Sequence, residues 1–349
     1  MSRARGLASW ASLALVTIVL AVLAGRAGVP SAALFVALAV ATVFALCRVG
    51  PTRVPAAAGI GAQALIGVEI GTLLDRDTLF SLGSAWIWVV VVSLGTLLLS
   101  IAAGSLLGLH RDVDATTGAL ALVAGGASGM VAIARDLGGD DRVVAVVQYV
   151  RVLLVTASLP FVATVVFSAD TGQAGTVRMD SAPLWADAVF LTACLAVGIP
   201  VARLIKLPAP ALLGPLIVSG AADLLGWAGD AGVPFLLLQV TYIVIGWQAG
   251  LRFTVESLRS IGRVLPWAVL LIVAIAVGCA LLGLILVGTT SATPYEAYLA
   301  TTPGGIYAVL ALAAASGVNV TFVVAAQVLR VFMMLLVVPL FTRSRQQGR

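Results

Sequence analysis

Two short segments 179 residues apart, Gln148-Tyr149-Val150-Arg151 and Gln327-Val328-Leu329-Arg330, each set an arginine inside a long apolar run. The same offset joins Gly67 to Gly246, Gly71 to Gly250, Trp88 to Trp267, Gly104 to Gly283, Gly125-Gly126 to Gly304-Gly305, Gly138 to Gly317 and Pro160 to Pro339. No gap is needed between Gly67 and Pro160. The chain is one unit written twice. Its fold must therefore repeat, and must house in each copy a glutamine and an arginine one helical turn apart in hydrophobic surroundings.

Of 349 residues, 61% are hydrophobic and 10% charged, and the mean hydropathy is +1.13. A soluble domain carries about 25% charged residues. The apolar runs are near 20 residues long, the length of a membrane-spanning helix rather than of the alternating strands of about 10 residues that build barrels. The expected class is an all-α polytopic membrane protein, with the lipid bilayer as its first partner. The net charge of +5 does not point to nucleic acid, because the basic residues are scattered between apolar segments. Cys47, Cys194 and Cys279 lie far apart in apolar segments and are expected to be small buried hydrophobes rather than a disulfide or metal framework. Arg3, Arg5 and the run Leu7 to Ala24 resemble a signal peptide, but a counterpart, Ala188 to Val201, opens the second copy. The first run is therefore expected to be a retained membrane helix.

Each copy contains six apolar segments, which sets repeat 1 at residues 1–168, an exposed linker at 169–187 and repeat 2 at 188–349. The fifth segment carries adjacent glycines at its centre, Gly125-Gly126 in the first copy and Gly304-Gly305 after Pro303 in the second. Glycine and proline break helices, and in hydrocarbon a broken helix survives only where protein or a cavity serves its free backbone groups. It is either a re-entrant hairpin of two half-helices or a spanning helix with an unwound centre. Basic residues collect on the cytoplasmic side. If all six segments cross, the basic residues divide nine to nine; if the fifth turns back, fifteen lie inside and three, Arg26, Arg76 and Arg178, outside. The second division is preferred. It predicts two inverted repeats, each of five transmembrane helices plus one re-entrant hairpin, about ten spanning helices in all, with both termini in the cytoplasm. Inverted repeats with broken helices at the midplane are a recurring plan of secondary transporters.

The candidate site residues follow from this plan. Arg151 and Arg330 are costly at membrane depth, at least ~2.5 kcal/mol each; they either contact an anionic solute or clamp hairpin carbonyls. Gln148 and Gln327 share a helix face with those arginines and bond either substrate or another helix. Gly125, Gly126, Ser128, Thr301, Thr302, Pro303, Gly304, Gly305 and Tyr307 offer backbone and hydroxyl contacts at the tips, or else the glycines serve close packing. Gly67-x-x-x-Gly71 and Gly246-x-x-x-Gly250 fit close helix crossings. Within them Glu69 and Gln248 occupy equivalent positions and are the candidates for ion coupling; Glu69 would carry protons, pair with an arginine, or reach the outer interface. Asp136, Asp140, Asp141 and Arg142 after the first hairpin suit a solvated loop and a helix cap. His110 is the only histidine, and no nucleophile elbow, P-loop or dinucleotide fingerprint occurs. The chain is not expected to be an enzyme, and no catalytic residue, metal or cofactor is assigned.

The chain resembles the membrane AbrB family, bacterial proteins with a duplicated hydrophobic unit. The resemblance covers nearly the whole chain and rests on a Gly-Gly hairpin followed by Gln-x-x-Arg and a proline nine residues after the arginine. Here these are Gly125-Gly126, Gln148, Arg151 and Pro160, then Pro303-Gly304-Gly305, Gln327, Arg330 and Pro339; Leu207-Pro208-Ala209 and Leu213-Gly214-Pro215 fit as well. Ala124 stands where the family usually has the first proline, which implies a less rigid first tip. The family's acidic residue after Pro-Gly-Gly is missing, with Met130 and Val309 in that region. The resemblance implies the labels regulator of gene expression and ammonia monooxygenase, and a bacterial cytoplasmic (inner) membrane location. The single histidine disfavours the monooxygenase. Two functions remain: a secondary transporter or permease for a small solute, an anion among the options, bound between the two hairpins near the midplane; and a membrane-embedded regulator acting indirectly through a partner. The expected partners are lipid and a small-molecule or ion substrate, with a homo-oligomer left open and nucleic acid excluded.

Overall fold

The computed structural model describes residues 3–27, 29, 31–74, 85–124, 130–131, 134, 137–168, 183–207, 209–229, 231–252, 255, 259 and 261–346. Among these residues the regular structure is entirely helical. In chain order the helices are α1 (Arg3–Arg26), α2 (Ala32–Cys47), α3 (Ala56–Gly71), α4 (Ala85–Leu107), α5 (Ala115–Leu122), α6 (Asp141–Phe161), α7 (Leu184–Leu204), α8 (Pro210–Leu224), α9 (Phe235–Gly250), α10 (Leu265–Thr289), α11 (Pro294–Thr301), α12 (Ile306–Ala315) and α13 (Val320–Gln346). One π turn, Val162–Val166, follows α6.

The duplication is legible in the backbone. Helices α5 and α11 occupy equivalent positions 179 residues apart and begin with matched caps. Asp114 accepts from the Thr116 and Thr117 amides, both at 2.9 Å. Thr293 and Glu296 form a reciprocal capping box. Both helices end in an extended residue, Val123 with ψ 128° and Thr302 with ψ 127°. Gly138 and Gly317 both adopt positive φ, 75° and 63°. Asp140 caps α6 by accepting from the Arg142 amide at 2.9 Å, as the acidic cluster after the first hairpin suggested.

Among the described residues five helical stretches are long and apolar enough to cross a membrane: Leu7–Arg26, Trp86–Leu107, Asp141–Val166, Leu184–Leu204 and Leu265–Thr289. Large apolar side chains on them, among them Leu15, Trp185, Trp267 and Leu270, stand more than half exposed, which suits lipid and would be costly in water. Helices α2, α3, α8 and α9 have 15 or 16 residues. At ~1.5 Å per residue they extend about 24 Å, short of the ~30 Å hydrocarbon core. The count of ten spans is thus finer than helix length alone supports.

The helices group into two compact units, each drawing on both halves of the sequence. The first, Met1–Phe80, Ala157–Phe253 and Tyr307–Thr321, holds α1–α3, α7–α9 and nearly all of α12. The second, Ser81–Thr156, Thr254–Ile306 and Phe322–Arg349, holds α4, α5, most of α6, α10, α11 and α13 from its second turn. In the first unit the copies interlock: α2 packs on α9, and its counterpart α8 packs on α3. Glycine makes both crossings. A Cβ on Gly67 would lie 2.3 Å from the Leu212 carbonyl oxygen, and one on Gly246 would lie 2.5 Å from that of Leu34. The two Gly-x-x-x-Gly pairs therefore let backbones touch. Ser219 adds a hydrogen bond across the α3–α8 crossing, donating to the Val68 carbonyl at 3.1 Å. Trp247 Nε1 donates to Thr17 Oγ1 at 3.0 Å and ties α9 to α1. In the second unit α4 packs on α10, α5 on α4 and α11 on α10.

Gly67→Ala should destabilise the protein by about 1–3 kcal/mol through overpacking. Gly61→Ala, on the same helix with nothing within 4 Å of the added carbon, should leave stability within about 0.5 kcal/mol of wild type. Thermal unfolding of the two variants in detergent gives the comparison.

Candidate functional site

Between α11 and α12 the residues Thr302 to Gly305 are non-helical. Pro303 has no amide hydrogen, so the Leu299 carbonyl four residues earlier loses its helical donor. Gln327, on the buried face of α13, replaces it: Nε2 donates to Leu299 O at 2.6 Å and to Thr302 O at 3.3 Å. Arg330, one turn further along, donates from Nη1 to Thr301 O at 3.1 Å and to Thr302 O. Its Nη2 donates to Gln327 Oε1 at 2.6 Å, which locks the two side chains together.

The first copy repeats the device. The chain is extended at Val123, and Gln148 Nε2 donates to Leu120 O and Val123 O, both at 2.8 Å. Arg151 Nη1 donates to Leu122 O at 3.2 Å. Ala124 therefore supports the same break without proline's help, because the Gln-x-x-Arg pair of α6 serves the same carbonyls. Gly125, Gly126 and Ser128 lie outside the described residues.

All four side chains are buried, with the glutamines fully enclosed and the arginines 2–3% exposed. Of the two uses open to the arginines, the geometry is that of a clamp on helix C-termini. A cation there also meets the negative end of the helix dipole. The clamps do not exhaust the side chains: Gln148 Oε1, Arg151 Nε and Arg330 Nε have no hydrogen-bond partner among the described residues. The two guanidinium charges are near enough to repel one another, and both lie near the buried Cys279 thiol. A cavity about the size of one water, lined in part by Ser93, Thr96, Thr301 and Arg330, adjoins the second clamp.

Thr156 on α6 is the residue that sequence pattern did not single out. The residue is 3% exposed, and its hydroxyl has no hydrogen-bond partner among the described residues. Its carbonyl loses the regular helical donor because Pro160 stands four residues later. The hydroxyl lies 3.6 Å from where a Cβ on Gly305 would be, and Val155 packs beside Gly304. The second tip thus faces an unsatisfied polar group in otherwise apolar packing. A threonine followed at i+4 by proline in an apolar run was the available signal.

Glu69 and Gln248 belong to the first unit and the arginines to the second. Glu69 interacts electrostatically with Tyr242, and Gln63 Nε2 donates to Gln248 Oε1 at 3.3 Å. Tyr307, at the start of α12, also falls in the first unit, where it interacts with Arg252.

A family model described as Transition state regulatory protein AbrB matches residues 2–84 and 38–346. The chain is similar to an Escherichia coli protein named "Putative regulator AbrB", 35% identical over 292 residues that cover 83% of each chain. It is also similar to "Uncharacterized protein YhjN" of Bacillus subtilis, 28% identical over 305 residues, 80% of this chain and 77% of that one.

Gln327→Leu leaves the Leu299 carbonyl without a donor and should cost about 1–3 kcal/mol. Gln148→Leu should cost a similar amount at the first break. Adding Pro303→Ala to Gln327→Leu returns an amide donor at position 303 and should recover part of the loss. A double-mutant cycle on melting temperature measures the recovery.

Proposed function

The chain belongs to the AbrB family, and from that premise we propose that it is a secondary transporter or permease of the bacterial cytoplasmic membrane for a small, anionic solute. The observation that carries the reading is the pair of interrupted apolar helices, each held open by a buried glutamine and arginine. Such backbone survives at membrane depth only where it lines a site or is served by protein. Here the clamps serve most of it and, among the described residues, leave Gln148 Oε1 and both arginine Nε groups at the clamps and Thr156 beside the second tip unpartnered.

Charge supports an anion. Two buried guanidiniums contribute +2, and the negative ends of α5 and α11 offset roughly half a charge each. About one positive charge is left over, and among the described residues the charge interactions at Arg151 and Arg330 involve each other and Cys279 rather than a carboxylate. A monoanion balances the site. Substrate contacts are proposed at Gln148, Arg151 and Thr156 in the first copy and at Thr302, Pro303, Gly304, Gly305, Gln327 and Arg330 in the second, with Gly125, Gly126 and Ser128 added by their sequence equivalence to the second tip.

The proposed topology has ten spans, two re-entrant hairpins, inverted copies and cytoplasmic termini. The fifteen-to-three distribution of basic residues supports it. Reporter fusions after Ser168 should face outward and those after Arg259 inward; the opposite result at either site removes the inverted arrangement. Purified protein in liposomes should give flux of at least one small anion. Thr156→Val should lower that flux at least tenfold, and Arg111→Ala should leave it unchanged. Flux at the empty-liposome level across a broad panel refutes transport.

A second reading, a membrane-embedded regulator that acts through a partner, draws on the name of the Escherichia coli relative. It predicts no flux from the protein alone and a loss of transcriptional response on deletion.

A further inference from the structure

The first unit holds a second polar layer, between α3 and α9, that the clamps do not use. It contains two pairs: Glu69 with Tyr242, and Gln248 with Gln63. The repeat offset makes Glu69 equivalent to Gln248 and Tyr242 equivalent to Gln63. The two pairs are thus one arrangement built twice, each joining a residue of one copy to a residue of the other.

The duplication supplies an internal control. At Gln248 the position is filled by a neutral amide, paired with the neutral Gln63, while α9 still packs on α2 and α3. A side chain of glutamine's size and polarity therefore satisfies this place in the fold. The carboxyl at Glu69 is not required for packing, yet a carboxylate among apolar helices is costly, and such groups in membranes serve ion and proton pathways. What Glu69 has and Gln248 lacks is a proton that can come and go. Tyr242, 7% exposed, stands at the place in the repeat that Gln63 holds beside Gln248, and its phenol feels the Glu69 charge.

On the helices packed against α3, the other charged or titratable side chains are Asp187, Cys194 and Arg203 on α7 and Asp223 on α8. Asp187 accepts from the Gly232 amide at 3.1 Å. Cys194 is buried against Val68. Arg252, just past the end of α9, interacts with Tyr307.

We propose that Glu69 is a reversible proton-binding site and that the proton is the coupling ion of the transport proposed above. The inference rests on that reading for its use of the proton and on the α3–α9 geometry for the site. Protonation adds one hydrogen to a carboxylate oxygen and removes one negative charge from the layer; deprotonation returns both.

The test uses the full-length protein. Infrared pH-difference spectra of wild type should contain a protonated-carboxyl band that Glu69→Gln abolishes, with circular dichroism and melting temperature unchanged. Tyr242→Phe should shift the band without removing it. The same proteins are then reconstituted in vesicles loaded with a pH-sensitive dye and supplied with a panel of small carboxylate and inorganic monoanions. Wild type should acidify or alkalise the lumen together with solute flux, and Glu69→Gln should lose at least tenfold of gradient-driven accumulation while retaining downhill exchange. A band that survives in Glu69→Gln overturns the site. Solute flux without proton movement overturns the coupling and leaves transport standing. The Glu69 band with no flux of any solute supports the site and refutes transport instead.

Discussion

An open carbonyl in hydrocarbon has no water to turn to, and this constraint organises the second unit. Each broken helix ends with carbonyls that have lost their donors, and each is met by a glutamine and an arginine from a neighbouring helix. The glutamine supplies a neutral amide to the carbonyl that the break orphans. The arginine, held one turn later, adds a charged donor at the negative end of the half-helix. Removing either partner exposes an unpaired group with nothing nearby to replace it, so break and clamp persist together. Among the described residues the clamps leave Gln148 Oε1, Thr156 Oγ1 and the two arginine Nε groups without a hydrogen-bond partner.

The repeat is woven rather than laid end to end. Helices from both copies enter both compact units, with α2 against α9 and α3 against α8 in the first and α4 against α10 in the second. Close approach at glycine makes this interlock feasible, since backbones meet where side chains would collide. Weaving also lets the copies diverge functionally without changing shape. Glu69 and Gln248 occupy matching places with different chemistry, as do Thr156 and Leu335 at the offset of 179.

A polar residue inside an apolar run is conspicuous in any sequence, and repetition at a fixed interval makes it more so. Gln148, Arg151, Gln327 and Arg330 were therefore legible as a set, and so was the interruption at Pro303-Gly304-Gly305. Whether the arginines would meet a solute or the protein's own backbone was not legible, because backbone carbonyls carry no sequence signature. Thr156 passed unnoticed because threonine satisfies itself in most helices by donating to a carbonyl a turn earlier; only packing against Gly305 distinguishes it. Tyr242 and Gln63 likewise gain meaning only from the helices they face.

The sequence by itself determined the apolar surroundings, the duplication and the place of the second break, since each is a local or periodic property of residue types. The tertiary structure decided which carbonyl each clamp serves, that Gln63 of one copy meets Gln248 of the other, and that each unit draws on both copies. Those outcomes depend on helices brought together across 25 to 29 residues of chain at the clamps and across the two copies in the α3–α9 pair, where contact is set by packing shape and by the need to pair buried polar groups.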